Sequence, residues 1–103
     1  MGRYQTRLTR EYLAFREQLD NDQLLNFRGQ LVNLLDDQSL AESKLAVVEV
    51  GGQTRFHIYV DRVHTVVWLL GGHWVRLGEP SRSFLEKMEF YTAELAQGRE
   101  PGA

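Results

Sequence analysis

The hydrophobic period of this sequence changes from 3.6 residues to 2, and that change constrains the fold more than any other feature. Between residues 10 and 35 apolar side chains recur at helical spacing, as in Leu24, Phe27 and Leu31. Over residues 54–60 they alternate with polar ones, as on a half-buried strand. Helices gathered on one side of a run of strands predict an α+β fold rather than a βαβ repeat.

The predicted elements follow one another with short connections. They are a strand over 3–8, a helical hairpin over 10–19 and 21–35, strands over 45–50, 54–60 and 64–70, a short strand over 73–77, and a helix after Pro80. Gly51-Gly52 marks a tight hairpin, and Gly71-Gly72 is expected to end the strand before it. We therefore predict a strand, a helical hairpin, a three- to four-stranded antiparallel sheet and a C-terminal helix.

The chain is short enough for a single hydrophobic core. It has 103 residues, of which 43% are hydrophobic, and we assign 1–97 to one domain and 98–103 to a flexible tail. It has no cysteine, which excludes disulfides, thiolate metal sites and cysteine nucleophiles. The longest apolar run, Val66–Leu70, cannot cross a bilayer, and no signal-peptide pattern begins the sequence. We expect a cytoplasmic protein that does not associate with membranes.

Positive charge is concentrated in one part of an acidic chain. The net charge is −2, which is not typical of a nucleic-acid-binding protein with a broad basic face. Residues 51–78 nevertheless carry three arginines against one aspartate, together with all three histidines. This distribution predicts a local cationic site.

Strand alternation places part of that cationic segment on one face. Arg55, His57 and Tyr59 share a face of the middle strand, and His73 and Arg76 follow across the predicted sheet. Histidine suits proton transfer near neutral pH, and arginine offers paired N–H donors to a phosphate. We predict Arg55, His57, His73 and Arg76 as catalytic residues.

Three further residues are predicted to bind substrate, namely Tyr59, Arg62 and Trp74, the last by stacking on bases. A structural explanation stands beside each, because polar rows on strands often only pair across the sheet and tryptophans are usually buried. His64 lies among valines and is expected in the core or at a sheet edge. The histidines lack ligand spacing, so we predict no metal and no cofactor.

One stretch carries a resemblance to a known family. It runs from Arg55 through Asp61 and Thr65–Arg76 to Pro80, and it resembles the RelE/ParE superfamily of small bacterial toxins, most closely the HigB-like, phage-associated branch. The matching positions are Arg55 and Tyr59 on the middle strand, the valine and leucine run 66–70, and Gly72, Arg76 and Pro80.

The resemblance implies a type II toxin that cleaves mRNA on the ribosome without a metal and is neutralised by an antitoxin protein. Such cleavage needs general acid–base catalysis and cationic stabilisation of the phosphate. Where the branch has paired lysines, however, this chain has Val75 and Arg76, and its overall charge is acidic. A second hypothesis therefore stays open: a non-enzymatic module of the same fold that binds a protein target, as gyrase-directed toxins do, acts as a phage-encoded inhibitor, or forms a homodimer.

Overall fold

The computed structural model describes residues 4–36 and 44–101, and over these ranges the chain has an α+β fold. Its elements are β1 (Gln5–Leu8), α1 (Arg10–Arg16), α2 (Asn21–Asp36), β2 (Lys44–Val50), β3 (Thr54–Asp61), β4 (Val66–Trp74), a 3₁₀ turn (Val75–Leu77) and α3 (Arg82–Ala96). The predicted fold class is confirmed. The polar stretch that precedes β2 lies outside the described residues. Within the described ranges, no helix is both long enough and apolar enough to span a membrane.

The four strands form one mixed sheet in the order β1-β4-β3-β2. Strands β2, β3 and β4 make the predicted antiparallel meander, whereas β1 lies parallel to β4 at the edge. The helical hairpin carries the chain from β1 to the opposite edge of the sheet, where β2 begins. The prediction of an antiparallel sheet is therefore correct for β2, β3 and β4 and wrong for β1.

Helices cover both faces of the sheet. The hairpin of α1 and α2 packs on one face, where the rings of Phe27 and Phe56 stack with centroids 3.9 Å apart. Helix α3 packs on the other face over a smaller cluster, and we call this side the α3 face. The buried members of that cluster are Tyr59, Trp68, Leu70, Met88 and Tyr91.

Helix α3 covers β4 and part of β3 but leaves β2 open. On the α3 face of β2, the side chains of Leu45 and Val47 are 39% and 53% exposed. On the opposite face of the same strand, Val48 and Val50 are buried against the helical hairpin. The α3 face therefore has a covered half and an accessible half.

Gly71 and Gly72 do not end the strand as predicted; they lie inside β4. A Cβ on Gly72 would lie 2.5 Å from the ring of Phe15 in α1, and one on Gly71 would lie 2.9 Å from the Cε of Met88 in α3. Real Cβ atoms do not approach other heavy atoms so closely. Glycine is needed at both positions because helices pack closely on both faces of the sheet here. The two glycines therefore serve the packing of β4 and do not end the strand.

A β-bulge interrupts the pairing of β3 with β4. The register steps from the pair Ile58–Leu69 to the pair His57–Gly71, so Leu70 is an extra residue. Each residue of β4 beyond the bulge therefore lies on the face opposite to the one that unbroken alternation would give. The predicted strand over 73–77 is correct only for its first two residues, which continue β4 before the 3₁₀ turn.

Side-chain caps define the starts of the helices. Asp20 and Gln23 cap α2 reciprocally: the Asp20 carboxylate accepts the backbone N–H of Gln23 at 2.8 Å, and the Gln23 side chain accepts the N–H of Asp20 at 3.0 Å. Ser81 caps α3, so this helix begins directly after the Pro80-Ser81 pair. These caps place Gln23 and Ser81 beside the end of β4.

The chain after α3 folds back on β1. Glu100 forms an ion pair with Arg7 at 3.1 Å, and Pro101 is buried. Within the stretch predicted as a flexible tail, 98–103, Gly98, Arg99 and Glu100 are exposed, and Pro101 is buried. The radius of gyration, 13.1 Å, is that expected of one domain of about 100 residues.

Candidate functional site

The β-bulge at Leu70 brings His73 to the α3 face. His73 pairs directly with Arg55 across the β3–β4 ladder, and His57 lies two residues farther along β3 on the same face. The structure thus places three of the four predicted catalytic residues together, beside the accessible half of the sheet. We call Arg55, His57, His73 and Phe84 of α3 the histidine cluster.

Aromatic contacts hold the two imidazoles in place. The ring centroids of His57 and His73 lie 5.5 Å apart. The ring of Phe84 meets both edge-on, at 5.2 Å from His57 and 5.6 Å from His73. Phe84 belongs to the first turn of α3, where its backbone N–H donates to the capping Ser81 hydroxyl. The helix start therefore positions the apolar wall of the cluster.

Burial and neighbouring positive charge keep both histidines neutral at pH 7. Burial, together with the nearby His73 and Arg55, lowers the pKa of His57 to about 4. Burial also lowers the pKa of His73, with Arg55 again contributing, whereas the carboxylate of Glu79 acts in the opposite direction. A neutral imidazole can accept a proton, so each ring is suited to act as a base.

Two nitrogens of the cluster lack a protein partner within residues 4–36 and 44–101, Nδ1 of His73 and Nε2 of His57. The Nε2 atom of His57 is buried and makes no hydrogen bond to the described part of the chain. A buried polar atom left in this state costs about 1–3 kcal/mol, and such atoms are often functional. A ligand at the cluster can reach the buried Nε2 of His57 only after a neighbouring side chain moves aside.

Arg55 carries the positive charge of the cluster on an exposed side chain. Its Nε donates to Oε1 of Glu49 on β2 at 3.2 Å, and the two side chains are 46% and 49% exposed. Exposed ion pairs contribute little net stability, because solvent screens them. The guanidinium can therefore exchange Glu49 for a phosphate at small cost.

A cavity of about 240 Å³ lies beside His73. It is enclosed by the end of β4, the 3₁₀ turn and the start of α3, and its walls include Glu79, Ser81 and Phe84. The imidazole of His73 thus has room for a ligand next to it.

Arg76, the fourth predicted catalytic residue, lies apart from the histidine cluster. Its guanidinium is stacked over the indole of Trp74, 5.1 Å from the ring centroid. Trp74 lies on the helical-hairpin side, where its ring meets Phe15 edge-on at 5.7 Å and its Nε1 donates to Gln18 at 2.9 Å. Trp74 nevertheless also forms a wall of the His73 cavity.

Two of the three residues predicted to bind substrate lie elsewhere. Tyr59 is 8% exposed beneath α3, and burial, together with the charge of Asp61, raises the pKa of its phenol. Arg62 follows the far end of β3, seven residues or about 23 Å from Arg55. There its guanidinium donates to the hydroxyl of Tyr4 at 3.2 Å. The positions of Tyr59 and Arg62 place them in the framework of the fold.

His64 is not in the core, and that expectation was wrong. It lies in the turn between β3 and β4 with its side chain 75% exposed, and its Nδ1 is 2.8 Å from Oδ2 of Asp61. His64 lies in the turn that precedes the apolar run of β4. The valines that are close to it in the sequence therefore do not surround it in the core. Over residues 4–36 and 44–101, no three histidine, aspartate or glutamate side chains converge as metal ligands do.

Sequence analysis missed several residues of the site. Phe84 belonged to the apolar stripe of α3, and only the packing of that helix places it against the histidines. Gln23 and Gln53 are 30 positions apart, yet their side chains are hydrogen-bonded beside Trp74. Nothing in the local sequence pattern signals this pairing.

The comparison with known proteins adds no assignment. No protein-family model matches this sequence, and no curated protein matches it significantly. A function for this chain therefore has to follow from the geometry of the site.

Proposed function

We propose that the chain is a toxin-like endoribonuclease that cleaves mRNA without a metal ion, acts in the cytoplasm, and has an antitoxin protein as its partner. The observation that carries the proposal is the close pairing of two histidines with an arginine on an accessible part of a sheet. The rings lie 5.5 Å apart, and Arg55 is the cross-strand partner of His73.

The proposed reaction uses the two histidines in different roles. Nε2 of His57 takes the proton of a ribose 2′-OH, whose oxygen attacks the adjacent phosphorus. The bond from phosphorus to the 5′-oxygen breaks, and protonated His73 supplies the proton that this leaving oxygen needs. The products are a 2′,3′-cyclic phosphate and a 5′-hydroxyl, and no oxidant or cofactor is consumed.

The electrostatics support this division of roles. His57, with a pKa of about 4, stays neutral and can therefore accept a proton. In the free protein the pKa of His73 is lowered by burial and by Arg55, but His73 faces a cavity, and the carboxylate of Glu79 acts against that lowering. A bound phosphodiester adds a further negative charge that stabilises an imidazolium. Arg55 would neutralise the charge that develops on the phosphate.

The test is cleavage of end-labelled RNA by the purified protein in the presence of EDTA. We expect His57→Gln and His73→Gln each to lower the rate by about 100-fold or more, the contribution usual for general acid–base catalysis. The matched control is His64→Gln, the same change at an exposed histidine outside the site, with an expected rate within twofold of the wild type. Equal rates in all three variants, or cleavage that EDTA abolishes, would contradict the proposal.

A second candidate is binding of a protein target without catalysis. It is favoured by the exposed apolar side chains of Leu45 and Val47 beside the histidine cluster, and by the acidic net charge of −2. Induced expression distinguishes the two functions. Growth arrest that disappears in an Arg55→Ala/His57→Ala variant supports RNA cleavage. Growth arrest that persists in this variant supports a protein target.

A further inference from the structure

We infer that the cavity on the other side of Trp74 is a nucleobase-binding subsite that prefers guanine or uracil, the bases with a carbonyl oxygen at O6 or O4 in place of an amino group. The inference rests on the proposed RNA cleavage, because it assigns a base next to the phosphate that the histidine cluster would cleave. The cavity measures about 330 Å³, within the range of small-ligand pockets. Its walls are formed by Gln23, Gly52, Gln53, Trp74 and Arg76.

Hydrogen bonds fix the amide wall of the cavity before any ligand binds. The Gln23 side chain accepts the N–H of Asp20 at 3.0 Å, which directs its Nε2 to the Oε1 of Gln53 at 3.3 Å. The backbone of Gln53 is held on both sides, by its N–H to Val50 at 3.1 Å and by its carbonyl to Val75 at 2.8 Å. The Nε2 of Gln53 has no partner in the described ranges and is free to donate to a ligand.

The aromatic wall is equally well held. Trp74 is anchored by the edge-on contact with Phe15 and by its bond to Gln18, so its indole does not need to reorient for a ligand. Arg76 lies over the ring at 5.1 Å and is exposed, so it can move outward while still covering the indole. A planar base inserted between them would stack on the indole and on the guanidinium, as unpaired RNA bases do.

The polar groups that face the cavity select the base. The Gln53 Nε2 and the Arg76 guanidinium are both donors, and the Gln53 oxygen is already occupied by Gln23. Donors match the O6 and N7 acceptors of guanine and the carbonyl oxygens of uracil. At the positions that correspond to guanine O6 and uracil O4, adenine and cytosine carry the amino groups N6 and N4, which would meet donors and leave hydrogen bonds unmade.

Connection with the histidine cluster comes through a shared wall. Trp74 lines both this cavity and the cavity that contains His73, and the two residues are consecutive at the end of β4. Because successive strand residues face opposite sides, His73 and Trp74 lie on opposite faces of the sheet. The backbone of β4 therefore lies between the proposed base site at Trp74 and the proposed proton-transfer site at His73. A nucleotide that spans the strand end would place its base on one side and its phosphate on the other.

The test is quenching of tryptophan fluorescence in the purified full chain by GMP, UMP, AMP and CMP, with ribose 5-phosphate as the phosphate-only probe. Trp68 is only 9% exposed, and Trp74→Phe is expected to remove the signal. We expect GMP and UMP to bind at least fivefold more tightly than AMP and CMP. Gln53→Ala should raise their Kd at least fivefold, whereas the control Gln30→Ala, an exposed glutamine of α2, should not change it.

Several outcomes would overturn the inference. Ribose 5-phosphate binding as tightly as GMP would show a phosphate site only, and an unchanged Kd in Gln53→Ala would show that the amide does not contact the base. The result is separable from the proposed function. Selective GMP or UMP binding with no RNA cleavage refutes the ribonuclease and keeps a base-binding site, whereas RNA cleavage without nucleotide binding or base preference refutes only the subsite.

Discussion

His57 and His73 lie with ring centroids 5.5 Å apart because a single extra residue in β4 rotates the end of that strand. In an unbroken β4, His73 would face the helical hairpin, and Trp74 would face α3. The bulge at Leu70 reverses both orientations, so that His73 faces α3 and Trp74 faces the helical hairpin. The candidate site therefore depends on a backbone irregularity as much as on the identity of its residues.

Thr9 stabilises this bulge from the adjoining β1–α1 connection. Its hydroxyl donates to the carbonyl of Leu70 at 2.5 Å and accepts the N–H of Tyr12 as the cap of α1. We expect Thr9→Val, which keeps the shape but removes the hydroxyl, to lower the free energy of unfolding by about 1–3 kcal/mol, because a buried carbonyl loses its partner. Urea denaturation measures the loss. Thr9→Ser keeps the hydroxyl and should recover most of the stability; equal losses in the two variants would argue against this role.

The low pKa of His57 predicts that stability falls on acidification. Its pKa is about 4 in the folded chain against 6.5 in the unfolded one, so the unfolded chain binds more protons between these values. The stabilisation is complete above pH 6.5 and is lost as the pH falls towards 4. Between pH 7 and pH 5 we expect His57 to account for about 1–2 kcal/mol of lost stability, allowing for its partial exposure. Urea unfolding of His57→Gln at both pH values should show a smaller pH effect than the wild type, and an equal effect in the two proteins would contradict this prediction.

Glycine at position 72 is required by the packing of Phe15. An added methyl group would lie 2.5 Å from a buried ring that has little room to move, whereas at Gly71 the nearest atom is the flexible end of Met88. We expect Gly72→Ala to lower the free energy of unfolding by about 1–3 kcal/mol and Gly71→Ala to lower it less. In Gly29→Ala the added methyl meets open space in α2, and stability should rise by about 0.5–1 kcal/mol. Thermal or urea unfolding of the three variants gives the order, and a Gly72→Ala variant as stable as the wild type would contradict it.

Glu49 limits the availability of Arg55. Removing its charge with Glu49→Gln breaks an exposed ion pair, so we expect a stability change below about 1 kcal/mol. RNA affinity at low salt should rise about two- to fivefold, because Arg55 is released and one repelling carboxylate is lost. Fluorescence anisotropy with labelled RNA measures this change. The gain should be much reduced when Glu49→Gln is made in an Arg55→Ala background; a full gain there would show that Arg55 is not the phosphate contact.

Strand alternation was enough to predict part of the site. The shared face of Arg55 and His57 follows from the period of a strand, and the structure has them on one face of β3. Alternation could not predict that Tyr59, on the same face, lies under α3, because coverage by a helix from another part of the chain is not visible in the strand itself. It also could not place His64, because β4 begins at Val66 rather than at residue 64 as predicted, which leaves His64 in the turn.

The sequence by itself determined the α+β class, the order of the elements and the two-faced pattern of the strands, because these depend on local hydrophobic period and on turn residues. Only the tertiary structure decided that Gly71 and Gly72 continue β4, since the reason for them is the approach of Phe15 and Met88 from two helices. Only the tertiary structure, likewise, brought His73 to His57. That meeting depends on the register between two strands, and one inserted residue in a strand of period 2 reverses every side chain that follows it.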